Sequence, residues 1–287
     1  MVARIIDGKI VSADVKSRVK KAVQELKADS IQPCLATVLV GDNVASAAYV
    51  RSKQKDANEV GIVTRDHRLD ATVKQEDLLE LVQFLNNDPE VHGILVQLPL
   101  PSQINEVDIA TALSPLKDVD GLTPYNAGML QNGIAALKPC TPSGIMELLD
   151  YYKIGIAGMD TVIVNRSNLV GKPLLTLLLE RDATVTICHS KTKDLNEKLQ
   201  RADLVVTAVG NRLHFMVTAN MVKEGVVVID VGTARFNDKL AGDVDFDSVK
   251  QKASWITPVP GGVGLMTRAM LLKNTVTAAF VTREMSK

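Results

Sequence analysis

Short apolar runs alternate with longer amphipathic stretches along the first half of the chain. The apolar runs occupy 34–41, 62–69 and 93–100, and the stretches between them, 43–60 and 74–87, carry apolar positions at helical spacing. Short strands that are apolar on both faces, each followed by a helix, are typical of a parallel sheet covered on both sides. The pattern therefore predicts an α/β fold for this part of the chain.

The same alternation restarts after residue 140. Thr141-Pro142 is typical of a helix start, with a hydroxyl cap followed by proline in the first turn. The strand-like runs that follow are TVIVN (161–165), ATVTIC (183–188), DLVVTAV (203–209) and VVVIDVG (226–232). A series of this kind predicts a second, doubly wound, Rossmann-like domain. The last helical stretch, about 263–285, is expected to return to the first domain, which gives domains of 1–140 plus 262–287 and 141–261.

Composition and charge narrow the function classes. The 287 residues are 46% hydrophobic, and 33 basic side chains balance 33 acidic ones, so a nucleic acid or an anionic membrane is not the expected partner. The apolar runs are too short to span a bilayer, and the first residues lack a signal-peptide pattern. Three separated cysteines and four histidines without ligand spacing predict reduced thiols, a cytoplasmic location and no metal site.

The segment TVIVNRSNLVGKP (161–173) joins a predicted strand to a predicted helix, as a phosphate-binding loop does. Asn165 stands where such a loop usually has its first glycine, and we expect it to make the turn because asparagine tolerates left-handed backbone angles. Gly171 would allow close helix–strand packing, while Arg166 and Ser167 would face an anion. The alternative is an ordinary strand–helix junction.

The end of the next strand bears on the choice of cofactor. NAD-binding folds usually place a carboxylate there for the ribose hydroxyls, about 20 residues after the loop. Here the strand is followed by His189-Ser190-Lys191-Thr192, and the first carboxylate is Asp194. Together with Arg166 this favours a ribose phosphate, and hence NADP over NAD. A solvated basic turn is the alternative interpretation.

The first domain contains a candidate catalytic face. Tyr49 and Lys53 are four residues apart in a predicted helix and therefore share one face. Such a pair can polarise a substrate and move protons if the lysine is partly desolvated, although most pairs of this kind are solvated surface. Gln97 ends a predicted strand, where open α/β sheets hold ligands, and Asp120 lies in the polar loop KDVDGLTPYNAG.

Taken in order, these motifs resemble the bifunctional methylenetetrahydrofolate dehydrogenase/cyclohydrolase family, and the similarity covers nearly the whole chain. The segments that carry it are VGDNVASAAYVRSKQK, LVQLPLP, KDVDGLTPYNAG, PCTPSG, RSNLVGKP, TICHSKT, DVG and ITPVPGGVG. The resemblance implies two α/β domains with a cleft between them, a folate site in the first domain, NADP in the second, and a homodimer. It also implies oxidation of 5,10-methylenetetrahydrofolate to the methenyl form and hydrolysis of that form to 10-formyltetrahydrofolate, in one-carbon metabolism and purine biosynthesis.

The resemblance also assigns roles to residues. Lys53 would be the central catalytic residue, Gln97 would hydrogen-bond it, Tyr49 would orient the folate, and Asp120 would bind the amino-pyrimidine end of the pterin. Further substrate contacts are implied for Leu98, Pro260, Gly261 and Gly262. Cofactor contacts are implied for Asn165, Arg166, Ser167, His189, Ser190 and Thr233.

Three departures from the usual family pattern fall on the cofactor side. Most members have glycine at Asn165, proline at Leu265 and Ile-Asn in place of Thr233-Ala234. An enzyme that uses NAD, or that lacks one of the two activities, therefore stays open as an alternative. A shikimate-dehydrogenase-like enzyme and a non-catalytic folate-binding protein are more distant alternatives. A shikimate-dehydrogenase-like enzyme would carry its Asn-Arg-Ser/Thr signature after the second cofactor strand, whereas here Asn165-Arg166-Ser167 follows the first. A non-catalytic folate-binding protein could lose Lys53, which is present.

Overall fold

The computed structural model describes residues 2–236 and 239–285. The strands, in chain order, are β1 (Arg4–Ile5), β2 (Cys34–Val40), β3 (Val63–Leu69), β4 (Gly93–Val96), β5 (Asp160–Val164), β6 (Thr184–Cys188), β7 (Leu204–Thr207), β8 (Val227–Asp230), β9 (Ala234–Phe236), β10 (Lys239–Ala241) and β11 (Trp255–Ile256). The α-helices are α1 (Gly8–Ala28), α2 (Val44–Val60), α3 (Gln75–Asn87), α4 (Glu106–Ala112), α5 (Pro124–Gln131), α6 (Cys140–Tyr151), α7 (Gly171–Leu179), α8 (Leu195–Arg201), α9 (Phe246–Lys250) and α10 (Val263–Met285). A short 3-10 helix covers Ala219–Met221.

The chain folds as two compact units. One consists of 14–140 and 268–287 and is called the three-stranded unit; the other consists of 1–13 and 141–267 and is called the six-stranded unit. The predicted domains are drawn differently from these units: 1–13 and 262–267 belong to the six-stranded unit, in which β1 pairs with β11. The described residues form no helix with the length and apolar character that a membrane span needs.

The three-stranded unit is a parallel sheet of order β3-β2-β4. Its central strand β2 is buried at all seven positions, as expected of a strand covered on both faces. Helix α3 contributes Leu78, Val82 and Leu85 to the core beneath the sheet, at the spacing of one helix face. This packing keeps the end of β4 close to the end of β2, where Gln97 N–H donates to Val38 O at 2.9 Å.

Helix α2 begins and ends with recognisable caps. The Asn43 side chain accepts a hydrogen bond from Ser46 N at 3.0 Å, which satisfies one of the free N–H groups of the first turn. Gly61 ends the helix with a φ of 88°, a left-handed conformation that favours glycine. The helix predicted over 43–60 is therefore confirmed as Val44–Val60, and it carries Tyr49 and Lys53.

The six-stranded unit contains a parallel sheet of order β1-β11-β8-β7-β5-β6. After β5 the chain first adds β6 on one side and then β7, β8 and β11 on the other, so the direction of winding reverses between β5 and β7. In open α/β sheets, ligands bind outside the carboxyl ends of the strands at such a reversal. The doubly wound arrangement predicted for this region is confirmed.

Three local predictions need correction. The strand predicted over 93–100 ends at Val96, because the segment beyond it contains prolines and the chain leaves the sheet there. The loop predicted over 117–128 contains the start of α5, which Thr123 caps and Pro124 opens. Thr141 does not cap a helix, because α6 already begins at Cys140.

Candidate active site

Lys53 lies in a buried position at the centre of the three-stranded unit's candidate site. The residue is 5% exposed, and its Nζ donates a hydrogen bond to Gln97 Oε1 at 3.0 Å. The same Nζ lies 5.3 Å from the centroid of the Tyr49 ring, within the range of a cation–π contact. Lys53 is therefore not solvated surface, although Tyr49 remains 41% exposed.

Gln97 is fixed in one orientation by a second hydrogen bond. Its Nε2 donates to Leu98 O at 2.7 Å, which leaves Oε1 to face Lys53. A lysine ammonium has three N–H donors. Within the described part of the chain, Gln97 accepts one hydrogen bond from Lys53. The remaining donor positions are available to a bound molecule, which is the arrangement a proton-handling group requires.

Asp120 shares this environment with Lys53. Burial raises the pKa of the Asp120 carboxyl, and the charge of Lys53 is the largest influence that lowers it. The neighbouring Asp118 has a different task, because its buried carboxylate accepts hydrogen bonds from Thr123 N at 2.7 Å and Asn126 Nδ2 at 2.9 Å. The loop thus contains one aspartate that holds α5 in place and one near Lys53.

Two residues that the sequence did not single out hold the chain around Asp120. Cys140 is buried, its Sγ donates to Val119 O at 3.2 Å, and burial raises the pKa of its thiol well above the usual value. Asn274, on α10, donates from Nδ2 to Val119 O and to Lys138 O, both at 2.8 Å. More than 130 residues separate Asn274 from these partners, so no local pattern could reveal the contact.

A buried ion cluster lies one helical turn beyond Lys53. Asp56 is 7% exposed and receives Lys16 Nζ on Oδ1 at 3.1 Å and Arg268 Nε on Oδ2 at 3.1 Å. Helix α2 is therefore tied by its own carboxylate to α1 and α10, a second feature that sequence reasoning missed.

In the six-stranded unit, the loop after β5 is organised by the side chain of Asn165. Its Oδ1 accepts hydrogen bonds from Ser167 N at 2.8 Å, Ser167 Oγ at 2.7 Å and Gly171 N at 2.9 Å, and its Nδ2 donates to Ala208 O at 2.7 Å. Among the described residues, the non-glycine positions with positive φ are Ser30, Lys153, Asp182 and Asp194. The predicted left-handed turn at Asn165 is therefore wrong: the asparagine shapes the loop through its amide.

Gly171 behaves as predicted. A Cβ at this position would overlap the Asn165 backbone carbonyl, so only glycine allows the first turn of α7 to lie against the end of β5. The close approach leaves the N-terminus of α7 facing the loop. Free N–H groups at such a helix start favour an anion.

The other predicted cofactor residues lie at the carboxyl ends of two adjacent strands. Arg166 and Ser167 follow β5, His189 and Ser190 follow β6, and the register pairs Val164 with Cys188 at the last position of both strands. Arg166, Ser167 and Ser190 are exposed, and His189 is partly buried. Exposed guanidinium and hydroxyl groups beside a helix start fit a phosphate group, so the residues present suit a phosphorylated nucleotide.

The remaining predicted contact residues also belong to the six-stranded unit. Thr233 is exposed just after β8, and Pro260 is exposed in the loop before α10. Gly261 has a φ of 110°, and Gly262 is packed so that a Cβ would meet Pro258 O at 2.6 Å. The loop therefore presents backbone rather than side chains at this point.

Fold and site together define a class: an α/β protein with a doubly wound nucleotide-binding unit and a second unit that holds a buried lysine site. Residues 6–120 match the family model for the tetrahydrofolate dehydrogenase/cyclohydrolase catalytic domain, and residues 139–283 match the model for the NAD(P)-binding domain of the same family. The chain belongs to the tetrahydrofolate dehydrogenase/cyclohydrolase family.

Individual relatives agree with this family over nearly their full length. The bifunctional protein FolD of Nitrosopumilus maritimus is 60% identical over 282 residues, which covers 98% of this chain and 98% of the relative. The crystal structure of bifunctional FolD from Campylobacter jejuni is 48% identical with a TM-score of 0.94, covering 97% and 99% of the two chains. A Trypanosoma brucei methylenetetrahydrofolate dehydrogenase-cyclohydrolase, solved with NADP and an inhibitor, is 38% identical with a TM-score of 0.94, covering 100% of both chains.

Proposed function

We propose that this protein is a bifunctional, NADP-dependent methylenetetrahydrofolate dehydrogenase and methenyltetrahydrofolate cyclohydrolase. The observation that carries the proposal is the buried Lys53–Gln97 hydrogen bond beside Asp120, in a chain whose two parts both match this family. The two reactions share one folate site. Oxidation of 5,10-methylenetetrahydrofolate gives the methenyl cation, and addition of water to that cation leads to 10-formyltetrahydrofolate.

The first reaction creates a positive charge on the substrate. NADP, when bound, would supply the acceptor for the hydride that leaves the methylene carbon. Gln97 and the Tyr49 ring fix the ammonium group of Lys53 in the proposed folate site. A group fixed in this way need not reorganise during the reaction, which is the main advantage of a preorganised site.

The second reaction needs proton transfers at two points. Water attacks the methenyl carbon and loses a proton, after which the bond from this carbon to N5 breaks and N5 takes up a proton. We assign these transfers to Lys53, because an amine held in the site can accept and return a proton. Its burial keeps bulk water from competing for these transfers.

Asp120 and Tyr49 suit recognition of the folate itself. A carboxylate accepts two parallel N–H hydrogen bonds, which matches the amino-pyrimidine end of a pterin. The Tyr49 side chain is 41% exposed and so offers a surface on which a flat ring can pack. Leu98 and the Pro260–Gly261–Gly262 backbone are further proposed substrate contacts.

The carboxyl ends of β5 and β6 carry residues that favour NADP over NAD. Arg166 follows β5, and the turn after β6 carries His189 and Ser190 in place of a carboxylate. A carboxylate there would repel a ribose phosphate, whereas these groups can bind one. We therefore propose NADP with Asn165, Arg166, Ser167, His189, Ser190 and Thr233 around it, and NAD as the alternative.

A direct assay tests the whole proposal. Purified protein is mixed with 5,10-methylenetetrahydrofolate and either NADP or NAD, and the absorbance of the methenyl product is followed. Protein that gives no methenyl product with either cofactor would refute the dehydrogenase, and a faster rate with NAD would overturn the cofactor choice. Separately, decay of methenyltetrahydrofolate absorbance without cofactor measures the cyclohydrolase, so a monofunctional enzyme is distinguished.

We also propose a cytoplasmic homodimer that supplies one-carbon units to purine biosynthesis. The support is the family membership and the lack, among described residues, of a helix suited to a membrane. Light scattering of the purified protein tests the dimer. A mass of one chain, 31.0 kDa, at working concentration would contradict it.

A further inference from the structure

The turn that follows β7 lies where the six-stranded sheet reverses its winding. β7 and β5 are neighbours, with Thr207 paired to Val164 at their last positions, and Asn165 Nδ2 donates to Ala208 O across this point at 2.7 Å. Ligands of doubly wound sheets bind outside the carboxyl ends of the strands at this place. The turn at 208–211 therefore borders the proposed cofactor site, although sequence reasoning assigned it no role.

The shape of this turn is fixed by the carboxylate of Asp243. Asp243 is 0% exposed, its Oδ2 accepts a hydrogen bond from Val209 N at 2.6 Å, and its Oδ1 accepts one from Gly210 N at 2.9 Å. Gly210 adopts a φ of 66°, a conformation that side-chain-bearing residues avoid. Two adjacent N–H groups thus point inward to one buried carboxylate, and the turn presents its outer side to the site.

A second buried carboxylate holds Asp243 in place. Asp230, at the end of β8, is 3% exposed; its Oδ1 accepts from Asp243 N at 3.0 Å and from Gly232 N at 3.0 Å, and its Oδ2 accepts from Val244 N at 2.9 Å. A Cβ at Gly232 would overlap the Asp243 carboxylate, and a Cβ at Gly242 would overlap that of Asp230. The two carboxylates and two glycines form one close-packed unit.

This carboxylate pair connects two ligand-facing segments. Asp243 fixes the turn at 208–211, while Asp230 fixes the backbone just before Thr233, a proposed cofactor contact. Gly210 and Thr233 are neighbours, since a Cβ on Gly210 would lie 3.6 Å from Thr233 O. The exposed edges of both segments therefore depend on groups that no ligand can reach.

We propose that Asp243 is a positioning residue for binding of the nicotinamide cofactor. Its carboxylate fixes the turn at 208–211, which borders the cofactor site, and does not itself touch the cofactor. The inference rests on the proposed function, because it names a residue that prepares the same cofactor site. A turn already held in its bound shape loses less conformational freedom on binding, so cofactor affinity is higher. The lysine site of the three-stranded unit contains none of these groups.

The test compares Asp243→Asn with the matched control Asp245→Asn. An amide replaces one acceptor oxygen with a donor, so in Asp243→Asn either Val209 N or Gly210 N faces another N–H group. Asp245 lies two residues away and its side chain makes no capping hydrogen bond to α9. Calorimetric titration of cofactor-free protein should show NADP binding weakened about tenfold or more in Asp243→Asn, and unchanged within about twofold in Asp245→Asn.

Kinetics separate positioning from general damage. In Asp243→Asn the KM for NADP should rise with the dissociation constant, while kcat at saturating NADP and cyclohydrolase turnover, which needs no cofactor, stay within about twofold of wild type. A variant whose cyclohydrolase activity and NADP affinity fall together would contradict the inference, as would unchanged NADP affinity.

Gly210→Ala tests the same turn without altering a buried carboxylate. The added methyl has room, but alanine is strained at this φ, so NADP binding should weaken about fivefold even if Asp243→Asn does not fold. Wild-type affinity in Gly210→Ala would overturn the inference. Wild-type protein that binds no NADP would instead overturn the proposed function, which keeps the two failures distinct.

Discussion

The two units prepare their sites in opposite ways. In the three-stranded unit the proposed reacting group, Lys53, is itself buried, and it contacts both Gln97 and the Tyr49 ring directly. In the six-stranded unit the proposed contact side chains, such as Arg166 and Ser190, are exposed, and the buried carboxylates of Asp243 and Asp230 fix the nearby backbone at 209 and 232. The proposed proton transfers thus depend on the buried side chain of Lys53, whereas proposed cofactor binding depends on exposed side chains carried by a fixed backbone.

The difference follows from what each site must do. Proton transfer and charge stabilisation are more effective where water is excluded, because electrostatic interactions are stronger there. Binding of a phosphorylated nucleotide depends on backbone N–H groups and on charges that are already solvated, so it needs a fixed loop rather than a buried charge. Substitutions in the lysine site should therefore affect turnover, whereas substitutions in the cofactor site should affect NADP binding.

The largest effect is expected for Lys53→Met. Removing the ammonium from the buried site should lower cyclohydrolase turnover roughly a thousandfold, since the side chain is the proposed proton carrier. The matched control is Lys55→Met, which changes an exposed lysine of the same helix and should leave turnover within about twofold. Circular dichroism and methenyl hydrolysis rates provide the measurements. Near-normal turnover in Lys53→Met would remove the residue from the mechanism.

The next largest effect is expected in the unfolding free energy, which should depend on pH because of Asp230. Burial raises the pKa of its carboxyl from 3.8 to about 6, with the neighbouring Asp243 charge acting in the same direction and backbone N–H groups opposing it. Between these pH values the folded state binds more protons than the unfolded state, so the unfolding free energy falls as pH rises. The shift corresponds to a loss of about 3 kcal/mol across this window.

Urea unfolding of wild type and Asp230→Asn at several values between pH 4 and pH 7 measures this effect. The variant loses hydrogen-bond acceptors at every pH, so the informative quantity is how the difference between the two proteins changes with pH. Wild type should lose stability relative to the variant as the pH rises. If the unfolding free energies of the two proteins differ by the same amount at every pH, Asp230 does not titrate in this range.

A smaller effect is expected for Arg166→Ala. Loss of a charge-assisted contact to the ribose phosphate should raise the KM for NADP about ten- to a hundredfold, while the KM for NAD, which lacks that phosphate, changes little. Arg201→Ala, an exposed arginine at the end of α8, serves as the control. If NADP preference survives in Arg166→Ala, the phosphate is recognised elsewhere and the loop assignment is wrong.

The smallest effect is expected for Asn165→Gly, which introduces the glycine that a phosphate-binding loop usually has at this position. The substitution removes the amide that joins Ser167, Gly171 and Ala208, and because Asn165 has no left-handed conformation, glycine relieves no strain. The unfolding free energy measured in urea should fall by about 1 kcal/mol. Asn168→Gly removes one exposed hydrogen bond from the same loop and should cost less.

The sequence predicted the parts of the molecule that depend on local pattern. Buried strands such as β2 are continuous apolar runs, and helix α2 has its cap and its terminal glycine in sequence, so the shared face of Tyr49 and Lys53 could be foreseen. Gly171 could also be assigned, because a strand followed by a loop and a helix requires close approach at one position.

The features that sequence reasoning missed depend on contacts between distant segments. Asp56 joins residues 16 and 268, Asn274 reaches Val119, and Asp243 binds the turn after β7, and none of these pairs has a local signature. The role of Asn165 was misassigned for a related reason. A backbone explanation was available from the residue type alone, whereas the amide contact to Ala208 appears only once β5 and β7 lie side by side.

The pairing of β1 with β11 has a consequence for modularity. The edge strand of the six-stranded sheet comes from the first residues of the chain, while the other strands come from beyond residue 141. Residues 141–267 expressed alone would leave an unpaired edge at β11, which favours association with other chains. Exchange of the nucleotide-binding module between relatives would therefore have to transfer two separate pieces of polypeptide, so a single crossover in a gene does not move the module intact.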